Sequence, residues 1–454
     1  MRKTTVFKQF CFLFSILIIL ININSLNSQV WSALGTGANN DVNAMAFYNG
    51  ELIVAGSFSI AGGQLVNRIA RWNGTSWQPL GLGTNDEIYA LVVYSNLLVA
   101  AGRFTTAGGN SASRIAVWNG ASWTALGSGL NSDVYALTAD GLNLYVGGAF
   151  TTAGGLSAFR IARYNNGWFP LGAGVNNEVY ALASFNLKTY AGGSFTTAGT
   201  INTNKIASWD PIISIWAPLG LGCDDGNVYA FRTFNSALIV GGTFTLIGGS
   251  TVNRIARWNG TSWSTLGIGF SGGVHSLFSA GTTLYAGGDF DFADLNPASK
   301  IAQWNGTNWS ALGSGISGTA PRVKAMNIYG TGLIAGGHFN LAGGVTVSNI
   351  ARWGTPVGII SYSNTTPEGY SLSQNYPNPF NPTTHFEFQI ADFGFASLKV
   401  YDATGKEVAI LVSEQLQPGT YEVEWDASNY PSGVYYCNLT AKNYSETRKM
   451  MLIK

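Results

Sequence analysis

One segment recurs along most of the chain, and its period limits the folds available more than any other feature. RIARWNGTSW, from Arg68 to Trp77, returns as RIAVWNGASW, RIARYNNGW, KIASWDPIISIW, RIARWNGTSW and KIAQWNGTNW. The leading aromatics are Trp72, Trp118, Tyr164, Trp209, Trp258, Trp304 and Trp353, spaced by 46, 46, 45, 49, 46 and 49 residues. A second series, each followed by a Leu-Gly pair, is Trp31, Trp77, Trp123, Trp168, Trp216, Trp263 and Trp309. Such repetition means one small unit that cannot bury its apolar face alone and must stack on its copies.

Each period holds four short strands. Strand a is the V-Y-A-L type of run (Ile88 to Leu91, Val134 to Leu137, Val179 to Leu182), and strand b is the LYVGG type (Leu144 to Gly148, Leu284 to Gly288). Strand c is RIAxW and strand d is WxxLG. Asn-Gly pairs such as Asn73-Gly74, Asn119-Gly120 and Asn259-Gly260 join c to d, and predict tight hairpins with positive φ at both residues. Seven four-stranded units predict a seven-bladed β-propeller. The seventh unit lacks a strand d, and the chain opens with an orphan one, Val30 to Gly35. The N-terminal strand is therefore expected to complete the last blade and to cover the edges of an open array.

Composition agrees. Gly is 58 of 454 residues and charged residues are 10%, against a usual figure of about 25%. A formal charge of +1 with no basic cluster argues against nucleic-acid binding. Residues 1–28 read as a signal peptide: Arg2, Lys3 and Lys8 precede an apolar run, Phe10 to Ile21, too short to span a bilayer as a helix. The mature chain then has 21 basic and 23 acidic residues, a balance of −2, and no transmembrane segment is expected in it. Cys11 leaves with the signal, and Cys223 and Cys437 fall in different regions, so no disulfide framework is expected.

The repeats, with paired glycines such as Gly147-Gly148, Gly192-Gly193 and Gly241-Gly242, resemble kelch-type propeller repeats. They are still more similar to the Gly-Gly-x-Phe-Thr, IAxW and LGxG repeats of bacterial surface proteins and fungal cell-polarity markers. The resemblance covers residues 30 to 354, and units one and two depart from it with Ala55-Gly56 and Ala101-Gly102. It implies a fold and no chemistry. Residues 29–356 are thus assigned to the propeller and 357–366 to a linker. Residues 367–454 are expected to form a small immunoglobulin-like β-sandwich, with alternating runs at His385–Ile390, Ser397–Tyr401, Val408–Val412, Tyr421–Trp425, Val434–Leu439 and Lys449–Ile453. This tail, with LSQNYPNPFNPTT, GKEV, PGTYEVEWD, SGVYY and the terminal KMMLIK, resembles the type A C-terminal sorting domain of the type IX secretion system. The resemblance implies contact with the secretion machinery through residues 367–454 and an extracellular or outer-surface location.

Chemistry is sparse. There are three His residues, and neither a zinc-protease motif nor a serine-hydrolase elbow nor a phosphate loop occurs. The residue before strand a is Asp41, Glu87, Asp133 and Glu178 in the first four units, then Asn227, Gly273 and Arg322, a partial acidic rim or simply solvated loop ends. Unit six replaces FTTAGG with DFDFADLN, so that Asp289, Asp291 and Asp294 form a candidate Ca²⁺ set, the one cofactor considered. The slot of Asp289 holds His338 in unit seven, and the loop into unit five carries Cys223, Asp224 and Asp225. Asp225, Asp289, Arg322 and His338 are the candidate ligand residues; repeat drift accounts for the same differences. The tryptophans read first as packing between blades, with stacking on a sugar open to any left exposed. The basic residues opening strand c (Arg68, Arg114, Arg160, Lys205, Arg254, Lys300) read as structural, pairing with a neighbouring loop acid. The expected function is a non-catalytic binding or adhesion module for an extracellular glycan or protein. The alternatives are a polysaccharide-active glycosidase or lyase, whose best carboxylate pair would be Asp289 with Asp225, and a structural envelope protein.

Overall fold

The computed structural model describes residues 29–454 except 75, 331, 355–359, 364–366, 393, 417 and 429. The expected signal segment and part of the expected linker lie outside these residues. The described chain is all-β. Among the described residues, positions 30–354 form seven four-stranded antiparallel sheets, six of them in the order a-b-c-d; the third, for example, is Val134–Ala139, Leu144–Gly148, Ile161–Tyr164 and Trp168–Pro170. The seventh is made of Arg322–Tyr329, Gly332–His338, Ile350–Gly354 and, from the other end of the region, Val30–Ala33, with Trp31 paired to Trp353.

Burial follows from these positions. Strand b is buried on both faces, as in Leu144–Gly148, because sheets pack on either side, whereas strand a alternates between buried and half-buried residues. One phenylalanine per unit (Phe58, Phe104, Phe150, Phe195, Phe244, Phe290 and Phe339) is buried beyond strand b. Each stabilises by about 1.5–3 kcal/mol through lost water contact.

The second tryptophan series ties each unit to the one before. Trp77 Nε1 donates to the Leu34 carbonyl at 3.1 Å, Trp123 to Leu80 at 2.9 Å and Trp216 to Leu171 at 3.0 Å; Trp31 does the same with Leu312 at 2.7 Å. Within each sheet the two aromatic series meet with centroids 4.8 to 5.4 Å apart. All 14 tryptophans are buried or half-buried, which removes them as an open sugar platform.

Three local expectations need correction. The Asn-Gly pairs are not two-residue hairpins: Trp72 pairs with Trp77 and Trp118 with Trp123, leaving four-residue loops. Only the glycine takes positive φ there (102° at Gly74), because the Asn119 side-chain oxygen accepts from the Ala121 and Ser122 amides and closes the turn itself. The b-to-c connection is more than a loop, since it carries a two-residue ribbon such as Thr106–Ala107 with Asn110–Ser111. The strand-c cations sit at φ between 64° and 73° and mainly serve backbone carbonyls, as Arg114 does for Arg103 at 2.7 Å. Acid partners exist for Arg114 with Asp133 (3.6 Å) and Lys300 with Asp291 (2.5 Å).

The C-terminal region forms two four-stranded sheets around its own core, which includes Phe386, Phe388, Leu398, Val423, Trp425 and Leu439. All six expected runs fall on strands, the last of which ends at Leu452, one residue short of the expected Ile453. Ser371–Leu372 adds a seventh, and Ile360–Ser363, within the expected linker, pairs with Gly419–Asp426.

Candidate functional site

The same irregularity occurs in strand a of all seven sheets. Register slips by one residue at Asn43, Tyr89, Tyr135, Tyr180, Tyr229, His275 and Lys324. A bulge of this kind leaves one residue unpaired and re-aims it. The cause lies on strand b. A Cβ at Gly148 would stand 2.2 Å from the Asp133 carbonyl oxygen, and one at Gly56 would stand 2.0 Å from that of Asp41. Only glycine permits this approach, and the amide just past strand b then donates to that carbonyl, as Ala149 does to Asp133 at 2.8 Å. Three positions per unit are gathered at one end of the pair of strands a and b: the residue before strand a, the bulged residue, and the residue after the glycine.

The bulged side chains form a continuous half-buried run. Ring centroids are 5.6 Å apart for Tyr89–Tyr135, 5.7 Å for Tyr135–Tyr180, 5.3 Å for Tyr180–Tyr229 and 5.1 Å for Tyr229–His275. His275 Nε2 lies 3.1 Å from Asp289 Oδ2, and Arg322 Nη2 reaches the same oxygen at 3.5 Å. Across the next strand pair, His338 Nδ1 lies 2.6 Å from Asp41 Oδ1, and Lys324 Nζ donates to Asp41 Oδ2 at 2.6 Å and to Asn43 Oδ1 at 3.1 Å. Asn43 Nδ2 donates onward to the Ile88 carbonyl, beside Tyr89.

Two carboxylates here are held in the charged form. The hydrogen bond from His275 lowers the Asp289 pKa against the opposing effect of burial, helped by the charge of Arg322. Burial would raise the Asp41 pKa, but hydrogen bonds from Lys324 and His338 together bring it below the ordinary value. The tyrosines shift the other way: burial, then the charges of Asp133 and Glu178, raise Tyr135, and burial, then Glu87, raise Tyr89.

Of the residues singled out from sequence, Asp289, Arg322 and His338 are gathered here. Asp225 is engaged elsewhere: it accepts from the Thr245 amide (2.8 Å), the Thr245 hydroxyl (2.6 Å) and the Leu246 amide (3.1 Å). Asn85 and Asn131 do the same in their units, so Asp225 fills a capping slot. Cys223 is a buried core residue at the bridge position held by Leu130 or Val175 elsewhere. The Asp289, Asp291 and Asp294 carboxylates have separate partners. Asp291 pairs with Lys300, and Asp294 accepts from the Ile268 and Trp309 amides at 2.6 and 3.0 Å. Among the described residues no three His, Cys, Asp or Glu side chains are grouped to hold a metal ion. Sequence reasoning missed the bulged series; aligning the units on V-Y-A-L reveals that its second column alone runs Asn, four Tyr, His, Lys.

Residues 374–454 match a family described as a secretion system C-terminal sorting domain. Residues 49–74, 143–169 and 238–260 match a β-propeller domain of unknown function, DUF5122. Comparison with curated proteins finds no match. Among solved structures, the chain is similar to PorZ, a bacterial surface component of the type IX secretion system of Porphyromonas gingivalis. The two are 13% identical with a TM-score of 0.45, over 93% of this chain and 61% of PorZ, so this chain spans about three fifths of PorZ's length. It is also similar to a fungal alcohol oxidase of the AA5 family in complex with copper (12% identity, 95% and 100% coverage, TM-score 0.40). A third is the Bacteroides ovatus xyloglucan locus protein GH43B (13%, 93% and 92%, 0.27). No helix among the described residues is long and apolar enough to cross a membrane. The chain thus carries a β-propeller repeat region followed by a type IX sorting domain, and that domain marks it for export to the cell surface or the extracellular space.

Proposed function

We propose that the seven sheets are blades of a closed seven-bladed propeller, sealed by Val30–Ala33, and that the exported protein is a non-catalytic binding module whose ligand docks where the bulged residues gather. The observation that carries this reading is the bulge itself, repeated in strand a of all seven sheets, while the residue it presents changes among Asn, Tyr, His and Lys between adjoining columns that hold only Val or Ile and Ala or Ser. A packing role alone would favour one residue type at every copy. Binding suits the electrostatics better than glycoside hydrolysis does. Asp41, Asp225 and Asp289 are all shifted toward the charged form, whereas a general acid needs its pKa raised.

The test is thermal unfolding of residues 29–454 against a panel of extracellular glycans and peptides. A ligand at 100 times its Kd adds about 2.7 kcal/mol. The expected result is a rise in Tm that Tyr229→Leu and Tyr180→Leu abolish and Asp291→Asn leaves in place. A rise that survives both changes places the ligand elsewhere. No rise with any member of the panel favours a structural envelope role.

A further inference from the structure

The gathered residues are unequal in ion pairing around the run. On the side of His275, Arg322, Lys324 and His338, the two acids Asp289 and Asp41 each face two nitrogen groups within 3.5 Å. On the tyrosine side, Asp86, Glu87, Asp133 and Glu178 meet two guanidiniums: Arg103, 3.4 Å from Asp86 and hydrogen-bonded to Tyr89, and Arg114, 3.6 Å from Asp133. Arg160 and Lys205 are engaged by the Ala149 and Ser194 carbonyls, so Glu87 and Glu178 have no lysine or arginine within ion-pair distance among the described residues. Glu178 Oε2 accepts from the Ser194 hydroxyl at 3.1 Å. Between these acids stand Tyr89, Tyr135 and Tyr180, half-buried and in ring contact.

We infer that this tyrosine arc binds an organic ammonium group, with Tyr135 and Tyr180 against the cation and Glu178 and Asp133 supplying the countercharge. Electron-rich ring faces attract a cation by about 0.5–2 kcal/mol, more as water is excluded, and a half-buried carboxylate beside them adds a charge-assisted hydrogen bond. A neutral sugar uses the rings and leaves the Glu178 carboxylate without a cationic partner. The ammonium has two natural sources outside a cell, an amino sugar or a lysine side chain, and the chemistry recognised is the same. This inference rests on the binding reading above.

The experiment titrates full-length mature protein with glucosamine, N-acetylglucosamine, lysine methyl ester and norleucine methyl ester acylated at its α-nitrogen, following tyrosine and tryptophan fluorescence and NMR line shifts. The lysine ester is acylated in the same way, so that the side chain carries its only ammonium. We expect saturable binding of the charged member of at least one pair, at least tenfold tighter than its neutral partner. We also expect it to weaken at least tenfold in Asp133→Asn/Glu178→Gln and in about 1 M salt. Preference for glucosamine identifies the sugar source, and preference for the lysine derivative the peptide source. Equal affinity within both pairs, or no saturation by any probe, overturns the inference. Should the double variant unfold, the salt response and Tyr135→Leu decide, and binding indifferent to both also overturns it. If these probes fail while panel ligands still shift Tm in a Tyr229-dependent manner, the binding reading stands and only the ligand class falls.

Discussion

Arg322 and His338 are direct partners across one antiparallel strand pair, yet they engage acids from opposite neighbours: Arg322 reaches Asp289 of the sixth sheet, and His338 reaches Asp41, which precedes the first. One rung of the seventh sheet therefore links the ion pairs on both sides of it. The Arg322 contact is long and 46% exposed, and exposed pairs of this kind contribute about 0–1 kcal/mol. Arg322→Gln is expected to lower stability by under about 1 kcal/mol in urea unfolding. Ligand-induced stabilisation should persist, because Arg322 stands on the cationic side of the run and not at the tyrosine arc. A loss of several kcal/mol would show that this contact holds the seventh sheet to the sixth.

Asp41 gives a pH prediction. Its folded pKa is depressed, so its contribution is present above the ordinary carboxylate pKa of about 3.9 and is lost as pH falls through the lower folded value. Asp289 acts in the same direction. Asp41→Asn should thus flatten the dependence of Tm on pH below about pH 4. An unchanged acid limb would mean that the Lys324 and His338 contacts do not persist in solution.

The fold was legible because a 45 to 49 residue period with tryptophan and Leu-Gly marks leaves few architectures, and the missing strand d was matched by the orphan one. The site was legible only in part. Asp289, Arg322 and His338 stood out because each differs from its copies. Tyr135 did not, because V-Y-A-L reads as ordinary strand alternation, and a bulge is a backbone event forced by Gly148 on a different strand. Asp225 misled for the converse reason: a carboxylate in a capping slot looks chemical until the amides of Thr245 and Leu246 are seen to occupy it.

The fate of Asp294 bears on calcium. Its oxygens accept three amides, from Ile268, Gly269 and Trp309, holding the sixth unit's loop to its strand d. Adding millimolar Ca²⁺ or a chelator is therefore expected to leave Tm unchanged, while Asp294→Ala should lower stability by about 1–3 kcal/mol through unpaired amides. A chelator-sensitive Tm would restore the carboxylates as metal ligands.

Trp31 tests the proposed sealing role of Val30–Ala33. It is buried, packs on Trp353 at 5.4 Å and donates to Leu312 at 2.7 Å, so it joins the seventh sheet to the sixth from the far end of the sequence. Trp31→Ala should cost about 3–5 kcal/mol. If the region opens at that seam, the loss should be accompanied by faster amide exchange in Ile350–Gly354 than in the equivalent Ile161–Tyr164. Equal exchange in the two segments would argue that the first strand is an accessory.

The paired glycines give the sharpest contrast, because identical changes at adjacent residues should differ. A Cβ at Gly147 would meet a methyl of Val179 at 2.6 Å, and the corresponding positions in units one and two are already alanine, Ala55 and Ala101, both fully buried. A side-chain methyl can yield. At Gly148 the obstacle is the Asp133 carbonyl at 2.2 Å, itself hydrogen-bonded to the Ala149 amide, and all seven units keep glycine there. Gly147→Ala is expected to change stability by less than about 1.5 kcal/mol, and Gly148→Ala to cost about 1–3 kcal/mol or more. Relief of that strain would require Asp133 and Tyr135 to move, so Gly148→Ala should also weaken ligand binding at the tyrosine arc. Comparable Tm values for the two variants would sever the bulge from the glycine and remove the physical account given for the site's assembly.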